Sequence, residues 1–485
     1  MLASVLVVTT PRPAAAHAGD DCALFFPADV AENDWFGSSV GIDGDTAVIT
    51  AWLGDEPTGP INAGAAYVYD RQPDGSWLEG QKLLPSVQGA SFNFGFSADI
   101  DGDIIAIGAW HETVGAAAQA GAVYIFERTT PTGPWAETAR LTASDADPAD
   151  DLGYNLEVDA ATSSVIVGAQ QDDEGGSNAG AAYVFRKTNG VWAQEAKLLD
   201  PNANVNDRAG NDVAIDGDWA VVGHHLDDIG INGPQTNAGG ALLYKRTGTT
   251  WGAPVELDVS NPEPIKNRAG YGVDIDGDLL VMTSYHDFDT QIPQGWIFRE
   301  NNGVWTEEQQ IFPYPSVNAG DHPFAAPNND DGTHFGRHVE LDNGVIAVGS
   351  SYDSSLDFER GATHYWTQDT NGLWKETARI DPEGNARYFH AGIAVGLSDT
   401  HAIIGAEKGN ANDDGIHEPF ATSPTEIFNA GLACIGDLSD ILDGTHSPNP
   451  FYEVYASVGD ATVAEGNPGD SNQASVDVTL SQAPP

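Results

Sequence analysis

The chain has 485 residues, with 72 Asp and Glu against 20 Lys and Arg, which gives a formal net charge of -52 at pH 7. A molecule this negative repels phosphate groups, which excludes nucleic acid and anionic membrane as its main partners. Self-repulsion at low salt favours a saline or cation-rich setting, although acid used for solubility alone explains the composition equally well.

The N-terminal stretch predicts a secretory signal peptide over residues 1–18. An apolar run from Leu2 to Val8 is followed by Ala16-His17-Ala18, a small-x-small cleavage pattern. No later segment is long and apolar enough to span a bilayer. We therefore predict a secreted or cell-surface bacterial protein without membrane insertion.

One unit then recurs seven times between residues 22 and 437. Each copy has an apolar strand that ends in a small-residue pair, an acidic loop, and a Gly-Ala step into aromatic strand residues. The apolar strands end at intervals of 55 to 66 residues, at Thr50, Gly108, Gly168, Gly223, Thr283, Gly349 and Gly405. A period of this length with four short strands per copy is typical of a propeller blade.

The blade strands differ in composition. The second strand is nearly unbroken β-branched and apolar sequence, such as IIAIG at 104–108, which suits a strand buried on both faces. The fourth strand begins near a tryptophan after a turn such as Asp74-Gly75, a strong hairpin signal. We interpret these tryptophans as packing residues. The predicted fold is all-β, a seven-bladed β-propeller of four-stranded blades.

Short motifs in these copies resemble FG-GAP repeats, the blades of the integrin α-chain head and of many secreted bacterial proteins. The Phe-Gly pair occurs at Phe36-Gly37, Phe94-Gly95 and Phe335-Gly336. Weaker versions that place the other blade starts are Leu152-Gly153, Ala209-Gly210, Ala269-Gly270 and Phe389-His390. The resemblance implies a propeller scaffold, and it is unspecific for function.

Integrin-type blades often carry a calcium loop between their first two strands. Here that connection is a short IDGD-type turn, with its first acid at Asp43, Asp101, Asp216 or Asp276. Two central turn residues cannot surround an ion with six or more oxygen ligands. We therefore predict tight hairpins at these positions, no firm cofactor, and weak calcium binding, if any, at residues 172–174 and 227–228.

The remaining acid lies in the loops between the second and third strands, which share one rim of the ring with the links between blades. Loops on a rigid scaffold are frequent binding sites. The alternative is a solvated, charge-repelling surface without a specific partner. The predicted binding rim consists of Asp55, Glu56, Asp172, Asp173, Glu174, Asp227, Asp228, Asp287, Asp289, Asp353, Asp357, Asp413 and Asp414.

The two ends of the repeat region are expected to meet. CALFFP at 22–27 aligns with the fourth-strand stretch GQKLLP at 80–85, so the N-terminal strand should complete the seventh blade. NAGLAC at 429–434 aligns with the third-strand stretch NAGAAY at 62–67. Cys22 and Cys434, the only cysteines, would then lie on adjacent strands, and a secreted setting permits a disulfide. Two unlinked thiols are the alternative.

The repeat stops after residue 437. A linker over 438–453 precedes residues 454–485, which resemble the opening strands of a Calx-β domain with Glu465 at its signature acid. Calx-β modules need several more strands, so we expect a truncated, partial β-sandwich tail. A monomeric propeller within a longer chain is the expected organisation.

No catalytic grouping is predicted. Histidines lie near second-strand ends and blade starts, namely His111, His224, His225, His286, His334, His338 and His390, without zincin spacing, and we interpret them as scattered surface residues. Serines lack a nucleophile-elbow context. The leading hypothesis is a non-enzymatic binding or adhesion module for a protein or glycan ligand. The alternative is a lyase or hydrolase acting on polysaccharide or phosphoester in the central funnel.

Overall fold

Seven four-stranded antiparallel sheets are arranged as a propeller, as the repeat predicts. The computed structural model describes residues 23–25, 27, 29, 33–55, 59–230, 233–234, 237–257, 259, 268–285, 294–313, 335–351, 361–380, 390–406 and 432–443. In each blade we name the strands A to D from the channel outwards. Strand A lines a central channel, and strand D lies at the circumference.

The N-terminal strand and blades 1 to 3 follow the repeat closely. Their strands are β1 (Ala23–Phe25); β2 (Phe36–Asp43), β3 (Thr46–Ala51), β4 (Ala65–Arg71) and β5 (Trp77–Leu83); β6 (Phe94–Asp101), β7 (Ile104–Ala109), β8 (Ala122–Glu127) and β9 (Ala136–Leu141); β10 (Leu156–Asp159), β11 (Ser164–Ala169), β12 (Ala181–Thr188) and β13 (Val191–Leu198).

Blade 4 departs from the other blades, because its loop between strands B and C contains a small hairpin and its strand D is interrupted. Its strands are β14 (Val213–Asp216), β15 (Trp219–Gly223), the hairpin β16 (Ile229–Gly230) and β17 (Gly233–Pro234), β18 (Ala241–Thr247), β19 (Thr250–Trp251) and β20 (Val255–Leu257). Both β19 and β20 pair with β18.

Blades 5 to 7 complete the ring, and a helix follows the last strand. Their elements are β21 (Ala269–Asp276), β22 (Leu279–Ser284), β23 (Gly295–Asn301) and β24 (Val304–Ile311); β25 (Phe335–Asp342), β26 (Val345–Ser350), β27 (Ala362–Gln368) and β28 (Trp374–Ile380); β29 (Ala391–Leu397), β30 (His401–Ala406) and β31 (Leu432–Asp437); and α1 (Leu438–Asp443).

The ring closes as predicted from its ends. Strand β1 pairs antiparallel with β31 and becomes strand D of blade 7, with Leu24 opposite Cys434. Cys434 is disulfide-bonded. The other cysteine of the chain, Cys22, lies outside the described residues, so the Cys22–Cys434 pairing stays a prediction.

Small residues let neighbouring blades approach. The backbone of Gly121, just before strand C of blade 2, bridges to Leu152 of blade 3. A Cβ on Gly121, which has φ +81°, would lie 2.0 Å from the Leu152 carbonyl oxygen, so only glycine fits there. The bridge recurs between Gly361 and Ala391. Blade 7 therefore begins its motif at Ala391-Gly392, and the predicted Phe389-His390 start was wrong by two residues.

Apolar side chains of strands B and C pack between adjacent sheets and form the core. One cluster joins Ile104 and Val123 of blade 2 to Leu156 and Val165 of blade 3. Packing both faces of every sheet explains why strand B carries almost no polar residue.

The C-terminal helix belongs to the packed core. Leu438 and Ile441 of α1, in the stretch predicted as a linker, pack with Cys434 and Ile404 of blade 7. Residues 444–485, including the Calx-β-like segment, and the predicted signal peptide at 1–18 lie outside the described part of the chain. Within that part, no helix is long and apolar enough to cross a membrane.

The strand directions define two faces of the ring. Strand A begins and strand B ends on the loop face, which also carries the loops between strands B and C and the links between blades. The opposite turn face carries the hairpins between strands A and B. At the four IDGD-type turns two residues connect the strands, as in Asp43 opposite Thr46. The glycines there have positive φ, which confirms the predicted tight hairpins.

Candidate functional site

A cavity of about 350 Å³ runs along the propeller axis and is lined by strand A of all seven blades. Its wall is strongly acidic, since alternate residues of each strand A point into it. Among the described residues that line it, none is arginine or lysine. The channel is therefore a candidate site for acid–base chemistry or for cations.

Aspartates form one layer of this wall near the turn face, and they join consecutive blades. Five of these carboxylates each accept a hydrogen bond from a backbone N–H of the next blade. The pairs are Asp43 with Gly102 (2.8 Å), Asp101 with Ala160 (2.7 Å), Asp159 with Gly217 (3.0 Å), Asp216 with Gly277 (2.8 Å) and Asp276 with Asn343 (2.9 Å). The acids of the IDGD-type turns thus hold neighbouring blades together by hydrogen bonds.

A second acidic layer lies deeper in the channel and repeats the same contact. Asp99 accepts a hydrogen bond from the Val158 N–H of the next blade at 2.7 Å, and Asp274 accepts one from Leu341 N–H at 2.5 Å. Burial raises the pKa of Asp99 to about 6. Burial also raises the pKa of Glu340, and the nearby carboxylates of Asp274 and Asp99 raise it further.

These shifts do not by themselves mark a catalytic site, because networks of buried structural carboxylates produce the same effect. Asp212 illustrates this. It accepts hydrogen bonds from Val213 N–H at 3.1 Å and Val273 N–H at 2.8 Å, and burial raises its pKa to about 8. His338 also lines the channel, and burial, with Arg337 nearby, lowers its pKa to about 4. His338 is thus disfavoured as a cation in this acidic channel.

The predicted rim acids separate into two positions. Asp55, Asp173 and Asp228 are exposed, and each accepts the backbone N–H of the asparagine that precedes the Ala-Gly step, from Asn62, Asn178 and Asn237 at 2.6 to 2.9 Å. These acids close their own loops. Glu174 is exposed beside them and pairs with Lys197 at 2.8 Å.

The other described rim acids are buried. Asp172 and Asp227 are each 2 % exposed, since they turn inwards beneath the loops of blades 3 and 4. The remaining predicted rim residues lie outside the described residues, namely Glu56, Asp287, Asp289, Asp353, Asp357, Asp413 and Asp414.

Aromatic rings form a row at the loop-face end of strands A and B in blades 1 to 3. Trp52 contacts Trp35 and Phe96 edge to face, with ring centroids 5.2 and 5.4 Å apart. Phe96 continues to Trp110 at 4.5 Å and to Tyr154 at 5.1 Å. All five rings are partly exposed, and we call them the aromatic collar.

A second, more buried group follows in blades 4 and 5. Tyr271 stacks on Tyr285 with centroids 4.3 Å apart and contacts His225 at 5.0 Å. His225 and Tyr285 are buried, whereas Tyr271 is partly exposed. The loop face therefore offers partly exposed aromatic surface beside exposed acidic loops.

The sequence analysis missed the aromatic collar because it considered the Phe-Gly motif and the end of strand B, but not the residue that follows each of them. Phe96, Tyr154 and Tyr271 each follow the glycine of the Phe-Gly position, and Trp52 and Trp110 each follow the end of strand B. Reading these columns across the seven copies would have shown an aromatic bias at the loop face.

The interpretation of the histidines as scattered surface residues was wrong for several of them. His224, His225 and His390 are at most 5 % exposed. They lie at the ends of strands, where the blades pack together and leave little access to solvent. His111 is partly exposed and stacks on Trp110 at 3.6 Å. His286 and His334 lie outside the described residues.

Comparison with protein families supports the resemblance seen in the motifs. The FG-GAP repeat model matches residues 20–69, 77–126, 135–185 and 192–244. These segments run from the N-terminal strand to strand C of blade 4, so the chain carries FG-GAP repeats on a seven-bladed propeller. The search of curated proteins found no match.

Two solved structures are among those that match this chain. The periplasmic gluconolactonase of Pseudomonas aeruginosa matches with a TM-score of 0.45 and 11 % identity, over 75 % of this chain and 93 % of that one. A hypothetical selenium-binding protein from Sulfolobus tokodaii matches with a TM-score of 0.45 and 11 % identity, over 72 % of this chain and 81 % of that one.

Proposed function

We propose that the protein is a non-enzymatic binding module of the secreted or cell-surface type, and that its ligand is a glycan bound on the loop face. The observation that carries this proposal is the aromatic collar. Five partly exposed rings in contact on one mouth of a rigid scaffold leave apolar area uncovered. Contiguous apolar surface of this kind is typical of binding sites.

The chemistry of the loop face fits a sugar. A pyranose ring offers an apolar C–H face that packs on aromatic rings, and hydroxyl groups that donate to carboxylates such as those of Asp55 and Glu174. With a net charge of -52, an anionic polysaccharide would be repelled. The proposed ligand is therefore a neutral or basic glycan.

The roles of the channel carboxylates support binding over catalysis. Asp99, Asp212 and Asp274, which an enzyme would need as free acids or bases, each accept a hydrogen bond from the next blade. A residue that holds the ring closed cannot leave that partner without loosening the blade contact. The extracellular setting, the integrin-like character and a Calx-β continuation are further parts of this proposal, supported by the sequence patterns described above.

Calorimetric titration of the full chain with neutral and basic oligosaccharides tests the proposal. We expect saturable binding that Trp52→Ala and Trp110→Ala each weaken by about tenfold or more, since central aromatic contacts commonly contribute over 1 kcal/mol. Trp305→Ala is the matched control, because Trp305 is also partly exposed but begins strand D on the turn face. Equal loss in all three variants would contradict the proposal, and release of a cleaved sugar product would support the enzyme instead.

A further inference from the structure

Blade 4 contains a histidine–carboxylate cluster that the neighbouring blades lack. In blade 3 the last residue of strand B, Ala169, pairs with Ala181 of strand C. The corresponding residues of blade 4 are His224 and Gly240, joined by a backbone hydrogen bond of 3.1 Å. An imidazole therefore occupies the place of a methyl group.

The glycine opposite His224 provides the space for its ring. A Cβ at Gly240 would lie 2.9 Å from His224 Nε2 and 3.3 Å from Glu256 Oε1. The first distance is shorter than non-bonded atoms tolerate. The two exchanges, Ala to His and Ala to Gly, are thus complementary and fit one side chain into a packed blade junction.

Two further exchanges change the charge around this histidine. In blade 3, Tyr183 lies opposite Lys197 of strand D, and both contact the buried Asp172 at 2.8 Å. In blade 2, Tyr124 and Arg140 contact the buried Glu112 in the same way.

In blade 4 the same strand positions hold Leu242 and Glu256. Leu242 lacks the hydroxyl of Tyr183, and Glu256 is an acid where blade 3 has the base Lys197. The buried loop acid Asp172 of blade 3 corresponds to Asp227.

The resulting cluster has acidic groups on both sides of the ring. Glu256 Oε1 lies 3.0 Å from His224 Nε2, and Asp200 Oδ2 and Asp227 Oδ2 lie 3.8 and 3.9 Å from Nδ1. One ligand atom each from His224, Asp227 and Glu256 falls within 4.8 Å of the others. One ion binds a single ring nitrogen, and two ligands about 2 Å from a shared metal ion lie up to about 4 Å apart, so binding would draw these three ligand atoms slightly closer together.

The histidine is fully enclosed among these carboxylates. Its side chain is 0 % exposed, its Nδ1 has no hydrogen-bond partner among the described residues, and its Nε2 lies beside the Glu256 carboxylate. Buried polar groups without partners cost free energy. Three carboxylates, those of Asp200, Asp227 and Glu256, face this one histidine, and such a group attracts a cation.

We propose that His224, Asp227 and Glu256 bind one divalent transition-metal ion, with zinc as the representative ion and Asp200 as a further carboxylate beside it. This site is separate from the aromatic collar and does not depend on the proposed glycan binding.

An imidazole ligand favours a transition metal over calcium, which prefers an all-oxygen shell of six to eight ligands. Glu256 is 33 % exposed at its side chain while the other members are buried, which gives the ion a path from solvent. The cluster thus differs from the IDGD-type turns, whose carboxylates are engaged with backbone N–H groups.

Titration of the chelator-treated full chain with zinc tests this proposal. Calorimetry measures the binding, and thermal unfolding measures the midpoint in parallel. We expect one tight equivalent of zinc and a rise of the unfolding midpoint by mass action. His224→Ala, which restores the residue of blade 3, and Glu256→Lys, which restores its base, should each weaken zinc binding by about 100-fold. A hundredfold excess of calcium should leave the bound zinc in place.

Two control variants distinguish zinc binding by this cluster from non-specific binding by acidic residues or histidines elsewhere. Asp45→Lys makes the same charge reversal as Glu256→Lys at an exposed site on the turn face, and it should leave zinc binding unchanged. His111→Ala removes a partly exposed histidine of blade 2 and should also have no effect. Absence of tight binding, equal loss in Asp45→Lys and Glu256→Lys, or displacement of zinc by calcium would overturn the proposal. Because His224→Ala and Glu256→Lys copy residues found in the sister blade, we expect both to fold.

Discussion

Blades 3 and 4 pair equivalent residues of strands B, C and D at one junction, but this junction has opposite electrostatics in the two blades. In blade 3 the buried Asp172 is neutralised by Lys197 and hydrogen-bonded by Tyr183. In blade 4 the corresponding Asp227 faces His224 and Glu256 in place of a lysine. Because the backbone pairing at this junction is shared, the difference lies in the side chains alone. Blade 3 therefore serves as an internal reference that shows which residues of blade 4 have changed.

The largest expected effect comes from the same substitution at the two equivalent strand D positions. Lys197→Met leaves Asp172 buried without its cation and should lower the free energy of unfolding by about 3 kcal/mol. Glu256→Met removes one of the three acids that face His224 and leaves Asp200 and Asp227 beside the imidazole, so without metal it should change stability far less. Chemical unfolding of both variants measures the contrast. Equal destabilisation would mean that the two junctions are electrostatically alike.

A second contrast lies in the channel, where Asn155 of blade 3 and Asp212 of blade 4 hold equivalent positions. Burial raises the pKa of Asp212 from its ordinary 3.8 to about 8. Between these values the folded protein keeps a proton that the unfolded chain releases, so stability is greatest at low pH and is lost as pH rises towards 8. From Asp212 alone we expect about 3 kcal/mol less stability at pH 8 than at pH 5.

Thermal unfolding across this pH range gives the measurement. Asp212→Asn, the blade 3 residue, should make the profile shallower, while Asp99 and Glu340 keep their share of the pH dependence. A wild-type profile that rises from pH 5 to pH 8 would show that the channel carboxylates are ionised in the folded protein.

The fit between His224 and Gly240 predicts a smaller, coupled effect. Gly240→Ala should cost about 1 to 2 kcal/mol in the wild type, because its Cβ would crowd the imidazole. In a His224→Ala background the same change recreates the alanine pair of blade 3, so its cost should nearly vanish. A double-mutant cycle in urea measures this coupling. Additive effects would mean that Gly240 does not make room for the ring.

The smallest expected effect is a loss of stability that should be equal in blades 3 and 4. Asp173 and Asp228 each accept a backbone N–H from an asparagine in their own loop, at 2.7 and 2.9 Å. Asp173→Ala and Asp228→Ala should each cost about 1 kcal/mol of stability. Similar unfolding midpoints would show that the two loops are built alike. A much larger cost in blade 4 would show that its loop has a further role.

The fold could be predicted from the sequence because each blade repeats the same signals in the same phase. Asp-Gly turns, β-branched strands and Gly-Ala steps fix four strands per unit, and the N-terminal strand was correctly assigned to blade 7. The start of blade 7 was misplaced, because Ala391-Gly392 keeps the glycine with positive φ but lacks the aromatic residue that draws attention to the motif.

The candidate sites were harder to predict because they depend on contacts between residues far apart in sequence. His224 was visible as a departure from the Gly-Ala pattern, yet its meaning depends on Gly240 and Glu256, which strand pairing brings opposite. Acidic loops suggested a uniform rim, whereas the structure buries Asp172 and Asp227 and exposes their neighbours. Composition reports how much acid a chain carries, but not which carboxylates the fold encloses.

Anomalous diffraction at the zinc absorption edge, from crystals of the full chain grown with one equivalent of zinc, tests the difference between blades 3 and 4 most directly. The account predicts one strong peak bounded by His224, Asp227 and Glu256, and no peak at Asp172 and Lys197 of blade 3. Peaks confined to exposed acids such as Asp55 or Asp173, or no peak beside His224, would contradict it.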